Sequence, residues 1–368
     1  MNTIKLDVIK IKQPIGEIYI AKINPNDLLS MSIVDRRRIE EDDEILGIQR
    51  ELKKEKVSQI RSYLSSIDAT FPNSIIVNTT SKYIKNKTNT TLELYMNDDS
   101  FVIIDGQHRV EGFRNNNILE FELILAIFVD LETDQQANIF STINSQQTKV
   151  DPSLNFNLEL NSNVYTPKKM MIEIAQSFNY DEDSPWYKSI KMLTAKTKGI
   201  ISLSAFVKPL LELTYPEKDY YKIRNELKIN EKEFPSFSNF QYDIEKYIFW
   251  EFYKRKDFKS IYKILYNFFN AIKILLDKDW LNEKSLLNKT TGYNAMIKLF
   301  KEISVFGIQK GDLSYNFFFQ NLEPIKKLNG TINKDNYGTS GFEASKTLYN
   351  DMKSLLQQSH NKTLERNI

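Results

Sequence analysis

Two periodicities alternate along the first 150 residues. Residues 6–12 and 17–23 mix aliphatic and charged positions as half-buried strands do, and Pro14-Ile15-Gly16 between them is a turn signal. Asn24-Pro25-Asn26-Asp27 opens a short helix, with the proline placed early, where its missing N–H costs nothing. Val57, Ile60, Leu64 and Ile67 recur at helical spacing, so residues 56–67 are expected to form a helix with one buried stripe, ended by Phe71-Pro72-Asn73. Residues 74–78, 92–95 and 101–104 read as strands. The last is apolar throughout, as expected of a central strand covered on both faces. It runs straight into Asp105-Gly106-Gln107-His108-Arg109 and a helix through Phe113. A strand over 121–129 and a helix over 134–143 follow, leading to Asn144-Ser145-Gln146-Gln147.

Beyond Asp151-Pro152 the 3.6-residue period dominates, with segments at 167–178, 202–213 and 262–276. The expected fold class is α+β. A mixed α/β domain spans 1–154, a mainly helical domain 155–305, and a C-terminal extension over 306–368 packs back on the body, with a terminal helix over 343–356. The aromatic run Tyr247-Ile248-Phe249-Trp250-Glu251-Phe252-Tyr253 reads as helical core and not as a base-stacking platform. The mixed charge run from Asp35 to Glu44 reads as a solvated loop or helix face.

Composition narrows the chemistry. A chain of 368 residues holds about two domains at roughly 150 residues each and needs no staples to bury a core. It contains no cysteine, which removes disulfides, thiolate nucleophiles, iron–sulfur clusters and cysteine-ligated zinc. Two histidines, His108 and His360, leave no room for a histidine-rich metal site. The net charge of +2 is not that of a nucleic-acid coat, so any DNA contact must come from a local patch. The N-terminus lacks the apolar segment of a signal peptide. The longest apolar stretch, 121–129, is about half the length that crosses a bilayer. A cytoplasmic protein with no membrane partner is expected.

The strongest candidate for function is Asp105-Gly106-Gln107-His108-Arg109. It stands where a strand gives way to a helix, the end of an α/β sheet where ligands bind. A helix start offers free N–H groups to an anion. Gly106 permits a sharp turn and close approach. Arg109 can grip a phosphate bidentately, and His108 can donate to a phosphate oxygen or carry a proton. Asp105 can hold Mg2+ or orient His108. The same residues allow a purely structural role, in which Asp105 caps the helix and pairs with Arg109 while His108 is a satisfied supporting residue. Gln49 and Arg50 form a second polar pair on a loop. Asn144 and Gln147 gather amides at a helix end. Both groups suit a ribose, a base edge or phosphate oxygens, and both suit ordinary surface or capping roles.

Ile104-Asp105-Gly106-Gln107-His108-Arg109-Val110-Glu111-Gly112 resembles the signature of the DGQHR-domain proteins, a group that includes the DndB proteins of DNA phosphorothioate systems and similar proteins of 7-deazaguanine DNA-modification clusters. Leu46-Gly47-Ile48-Gln49-Arg50-Glu51-Leu52, Phe71-Pro72-Asn73-Ser74-Ile75 and Phe140-Ser141-Thr142-Ile143-Asn144-Ser145-Gln146-Gln147-Thr148-Lys149-Val150 also look like that family. Ser184-Pro185-Trp186-Tyr187 and Gly338-Thr339-Ser340-Gly341 match more loosely. The resemblance implies a ParB/sulfiredoxin-like fold, in which the strand–turn–helix holds nucleotide phosphates. Sulfiredoxins place a cysteine where this chain has Gln107, so sulfinic-acid reduction is ruled out while His108 and Arg109 remain.

Three functions are expected from this, in descending order. The first is a nucleotide-binding, weakly ATP-hydrolysing protein that works with DNA and with the proteins of a DNA-modification or phage-defence system. Here Asp105 and His108 are catalytic, and Gly106, Gln107, His108, Arg109, Gln49, Arg50, Asn144 and Gln147 bind the phosphates of ATP or another nucleoside triphosphate with Mg2+. The family implies a homodimer when nucleotide binds. The second is a DNA-binding regulator without catalysis, with lysine-containing runs such as 188–198 on phosphates. The third is a nickase or nuclease with one metal on Asp105, His108 and Glu111.

Overall fold

Strand β1 (Thr3–Gln13) turns at Pro14-Ile15 and returns as β2 (Gly16–Ile23), with Val8 opposite Ala21. The structure, a computed structural model, describes residues 2–34, 38–39, 45–46, 52–116, 120–146, 151–193, 199–230, 233–338 and 341–366. It is α+β and divides into two compact units, Met1–Lys149 and Val150–Ile368.

In the first unit, helix α1 (Pro25–Ser30) is capped by the Asn24 side chain. The short strands β3 (Ser32–Ile33), β4 (Arg38–Ile39) and β5 (Ile45–Leu46) follow, then α2 (Lys54–Leu64). Next come β6 (Ile75–Thr79), β7 (Ile84–Lys87), β8 (Thr91–Tyr95) and β9 (Phe101–Asp105). Helix α3 (Gln107–Phe113), β10 (Leu123–Val129) and α4 (Thr133–Gln146) complete the unit. Eight strands form one sheet in the order β3-β9-β6-β10-β2-β1-β8-β7. The β3–β9 and β6–β10 pairs are parallel and the others antiparallel. A core of Leu28, Val77, Leu92, Phe101, Val110, Phe113, Leu125 and Ile127 lies against the sheet. Phe113 meets Phe121 edge-on with centroids 5.0 Å apart, and Phe71 packs on both.

Three differences from the sequence reading have physical causes. Helix α2 ends at Leu64, where Ser65 and Ser66 donate back to the carbonyls of Ser62 and Tyr63, so Ile67 falls past its end and is exposed and not part of the stripe. Strand β7 was not foreseen, because its Lys85, Asn86 and Lys87 are exposed and carry no apolar alternation. Strand β10 starts at Leu123, since Phe121 leaves the ladder to join the Phe71 and Phe113 rings.

The second unit is helical. Helix α5 (Pro152–Glu159) is capped by Asp151 and α6 (Pro167–Tyr180) by Thr166. The two-residue strands β11 (Ile190–Lys191) and β12 (Ile201–Ser202) pair in parallel, and α7 (Leu203–Glu212) and α8 (Tyr220–Ile229) follow. Then come α9 (Trp250–Lys254), α10 (Phe258–Leu275), α11 (Asp277–Trp280) and α12 (Thr290–Lys310). The last are α13 (Tyr315–Leu322), α14 (Lys334–Tyr337) and α15 (Phe342–Arg366). Trp186 lies edge-on to Phe206, Phe269, Trp280 and Tyr293 at the centre. The buried Tyr293 hydroxyl donates to the Phe206 carbonyl at 2.8 Å, as a buried phenol requires, while the buried Trp186 indole N–H has no partner among the described residues. Phe317, Leu348 and Met352, from the region expected as a C-terminal extension, join this same core. The aromatic run is buried at Phe249, Trp250 and Tyr253, but its helix begins only at Trp250.

Candidate functional site

Strand β9 ends at Asp105 and α3 begins at Gln107, so one residue makes the corner. That residue, Gly106, has φ +99°, and a Cβ placed there would lie 2.5 Å from Ile75 Cδ1. Both the backbone conformation and the neighbouring strand therefore demand glycine. Gly112, six residues on, lets α3 approach α2, since a Cβ there would meet Ile60 Cγ2 at 2.4 Å.

The corner is closed by Arg109. Its Nη2 donates to Asp105 Oδ2 at 2.9 Å and to the Ser74 carbonyl at 3.2 Å, and its Nη1 donates to the Asn73 carbonyl at 2.6 Å. The Arg109 and Asp105 side chains are 18% and 23% exposed. The guanidinium thus ties the Phe71-Pro72-Asn73-Ser74-Ile75 segment to the Asp105 corner, and two stretches that stood apart in the sequence form one latch. Gly106 is the N-cap of α3, with no side-chain capping bond. Of the structural role read from the sequence, the Asp105–Arg109 pair is present and the Asp105 cap is not.

His108 is half-buried and faces α2. Its Nε2 accepts the backbone N–H of Lys53 at 3.1 Å. An accepting Nε2 belongs to the neutral ring, with the proton on Nδ1. Burial lowers the imidazole pKa, Lys56 and Lys53 lower it further, and Asp105 opposes them. Gln107 is buried at 7% exposure. Glu111 pairs with Arg114 at 2.9 Å. Among the described residues no group of three His, Cys, Asp or Glu is arranged to hold a metal ion, so Asp105, His108 and Glu111 are not assembled into one.

Gln49, Arg50 and Gln147 lie outside the described residues, as do residues 194–198 of the lysine run. Asn144 lies on α4, whose backbone there is described while the Asn144 side chain is not. The structure therefore places Asp105, Gly106, Gln107, His108 and Arg109 together at the corner, puts the Asn144 backbone on α4, and does not describe Gln49, Arg50 and Gln147.

The sequence reading missed the start of α2. Lys53, Lys54 and Lys56 are all exposed there, with Glu55 the one acid among them. The Lys53 N-cap makes no side-chain capping bond. Cations at a helix N-terminus oppose its dipole, so three lysines where acids are favoured were the signal available in the sequence.

No helix among the described residues is long and apolar enough to cross a membrane. No curated protein and no solved structure matches the chain. The family model for DndB, described as DNA-sulfur modification-associated, matches residues 6–251, well over half of the sequence and all of the Asp105–Arg109 corner. The chain belongs to the DndB family.

Proposed function

We propose that the chain is a nucleotide-binding, DNA-associated protein of a DNA-sulfur-modification system, and that it holds phosphate oxygens where α2 begins beside His108. One observation carries this reading. Lys53, Lys54 and Lys56 crowd the positive end of an 11-residue helix, beside an imidazole that burial, Lys56 and Lys53 help to keep neutral. That arrangement costs helix stability on its own, and an anion seated there relieves it. Membership of a DNA-sulfur modification-associated family supports phosphate as the anion.

We read the latch as support for a structural role of Asp105 and Arg109 ahead of direct phosphate contact. Arg109 is committed to Asp105 and two carbonyls, and through them it fixes where α3 and His108 stand. Asp105 faces a guanidinium, and a carboxylate so engaged is poorly placed to collect Mg2+. The geometry accordingly supports binding ahead of ATP hydrolysis.

Calorimetry with ATP, CTP and GTP, with and without Mg2+, tests the proposal. The wild type is expected to bind at least one of them. The combined Lys53→Gln, Lys54→Gln and Lys56→Gln variant is expected to lose that binding while staying folded. Absence of binding by the wild type, or equal binding by the variant, rejects the site. The same lysines suit the phosphates of a DNA duplex, which favours a regulator reading second. A gel shift across a salt series separates the two, because duplex binding weakens steeply with salt.

A further inference from the structure

An open cavity, a groove of about 510 Å³, lies on the helical unit between α6 and the start of α10. From α6 it takes Glu173, Gln176, Ser177 and Tyr180, at the i, i+3, i+4 and i+7 positions of one helical face, and Asp181 just past the helix end. The opposite wall is Phe258 and Tyr262. Two carboxylates and three aromatic rings thus line the space, and none of the lining residues is basic.

What the carboxylates touch is also set. Glu173 Oε2 accepts the Tyr165 hydroxyl at 2.7 Å. Asp181 Oδ2 accepts the Tyr262 hydroxyl, and its Oδ1 accepts the Asp183 backbone N–H at 3.1 Å. These donors are neutral: burial and the carboxylates push both tyrosine pKa values up, so the phenols stay protonated. Each carboxylate is therefore held in place by neutral hydrogen bonds. Tyr180 is 65% exposed, a large ring left in water at the cavity rim, and Phe258 and Tyr262 lie nearly parallel across from it.

Spacing limits what fits. Eight residues at about 1.5 Å rise put Glu173 and Asp181 about 12 Å apart along the helix axis. One small cation cannot answer both. A molecule that does so carries positive charge at each end and an apolar stem that lies along aromatic faces, where ammonium groups and methylenes are both favoured. We propose that this cavity is a binding site for a linear aliphatic polyamine, with one terminal ammonium on Glu173, the other on Asp181, and the methylene chain against Tyr180, Phe258 and Tyr262. Nothing in this depends on the phosphate site, which lies in the other unit.

Calorimetry and thermal melting of the full chain with spermidine test it, with butylamine as the single-charge control and a Lys-Gly-Arg peptide as the peptide control. Spermidine is expected to bind and raise the melting temperature. Butylamine is expected to bind at least tenfold more weakly. Glu173→Gln and Asp181→Asn keep their hydrogen bonds to Tyr165 and Tyr262, and each is expected to weaken spermidine about three- to fivefold, the range of a partly exposed ion pair. Glu182→Gln, an exposed acid outside the cavity, is expected to change nothing. The proposal is overturned by no spermidine binding, by equal affinity for butylamine, by tighter binding of the peptide, or by Glu182→Gln weakening spermidine as much as the cavity variants do.

Discussion

The Asp105–Arg109 corner and the α6–α10 cavity treat charge in opposite ways. At the corner a cation, an anion and two carbonyls answer one another inside the protein. In the cavity the two carboxylates are answered by neutral hydroxyls and an amide. The corner is conspicuous in the sequence and structurally self-sufficient. The cavity is bland in the sequence, and among the described residues its carboxylates are answered by neutral donors. A motif made of charged residues is thus not by itself a binding surface, because its members can spend their hydrogen bonds on each other.

Substitutions at the corner break this contrast most strongly. Arg109→Ala removes three hydrogen bonds and leaves Asp105 without its partner, and is expected to cost about 2–4 kcal/mol in denaturant unfolding. Gly106→Ala combines a positive φ with a clash on Ile75 and is expected to cost about 2–3 kcal/mol. Asp105→Asn keeps an acceptor for Arg109 and is expected to cost about 1 kcal/mol. If Arg109→Ala were nearly neutral in stability, the latch would be wrong and the guanidinium would be free for a ligand.

Much of this was legible in the sequence. Two strands of the eight-stranded sheet announced themselves by apolar runs at 101–104 and 121–129, although the first lies next to the edge strand β3 and not at the centre and the second starts only at Leu123; the strand–turn–helix at Asp105 announced itself by its glycine. The pairing of Asp105 with Arg109 stood as one of two readings, and spacing alone does not choose between them. The choice depends on the Asn73 and Ser74 carbonyls, which sit some 35 residues away in sequence and arrive only when β6 pairs with β9. The cavity was illegible for a related reason. Tyr262 and Phe258 share the period of a buried helix, and only the packing of α6 shows that their ends line open space.

Smaller effects sharpen the comparison. His108 has a lowered pKa in the folded state, so the unfolded chain takes up its proton first as pH falls. Its contribution to stability is present above the ordinary histidine value of 6.5 and is lost as pH falls through the window below it. His108→Gln, which can still accept from Lys53, is expected to flatten that slope in urea titrations at a series of pH values. The smallest effect carries the most information about function. Lys54→Glu places an acid in the first turn of α2 and is expected to stabilise the fold by about 0.3–1 kcal/mol while weakening phosphate binding. A residue whose replacement improves the helix and harms binding is kept for the ligand.

Amide hydrogen exchange of the wild type, measured with and without saturating nucleotide, tests the phosphate site most directly. Slower exchange at Lys54, Glu55 and Lys56, where the first N–H groups of α2 face solvent, is the predicted result. Bound nucleotide that leaves those three amides unchanged and protects a distant segment instead would contradict it.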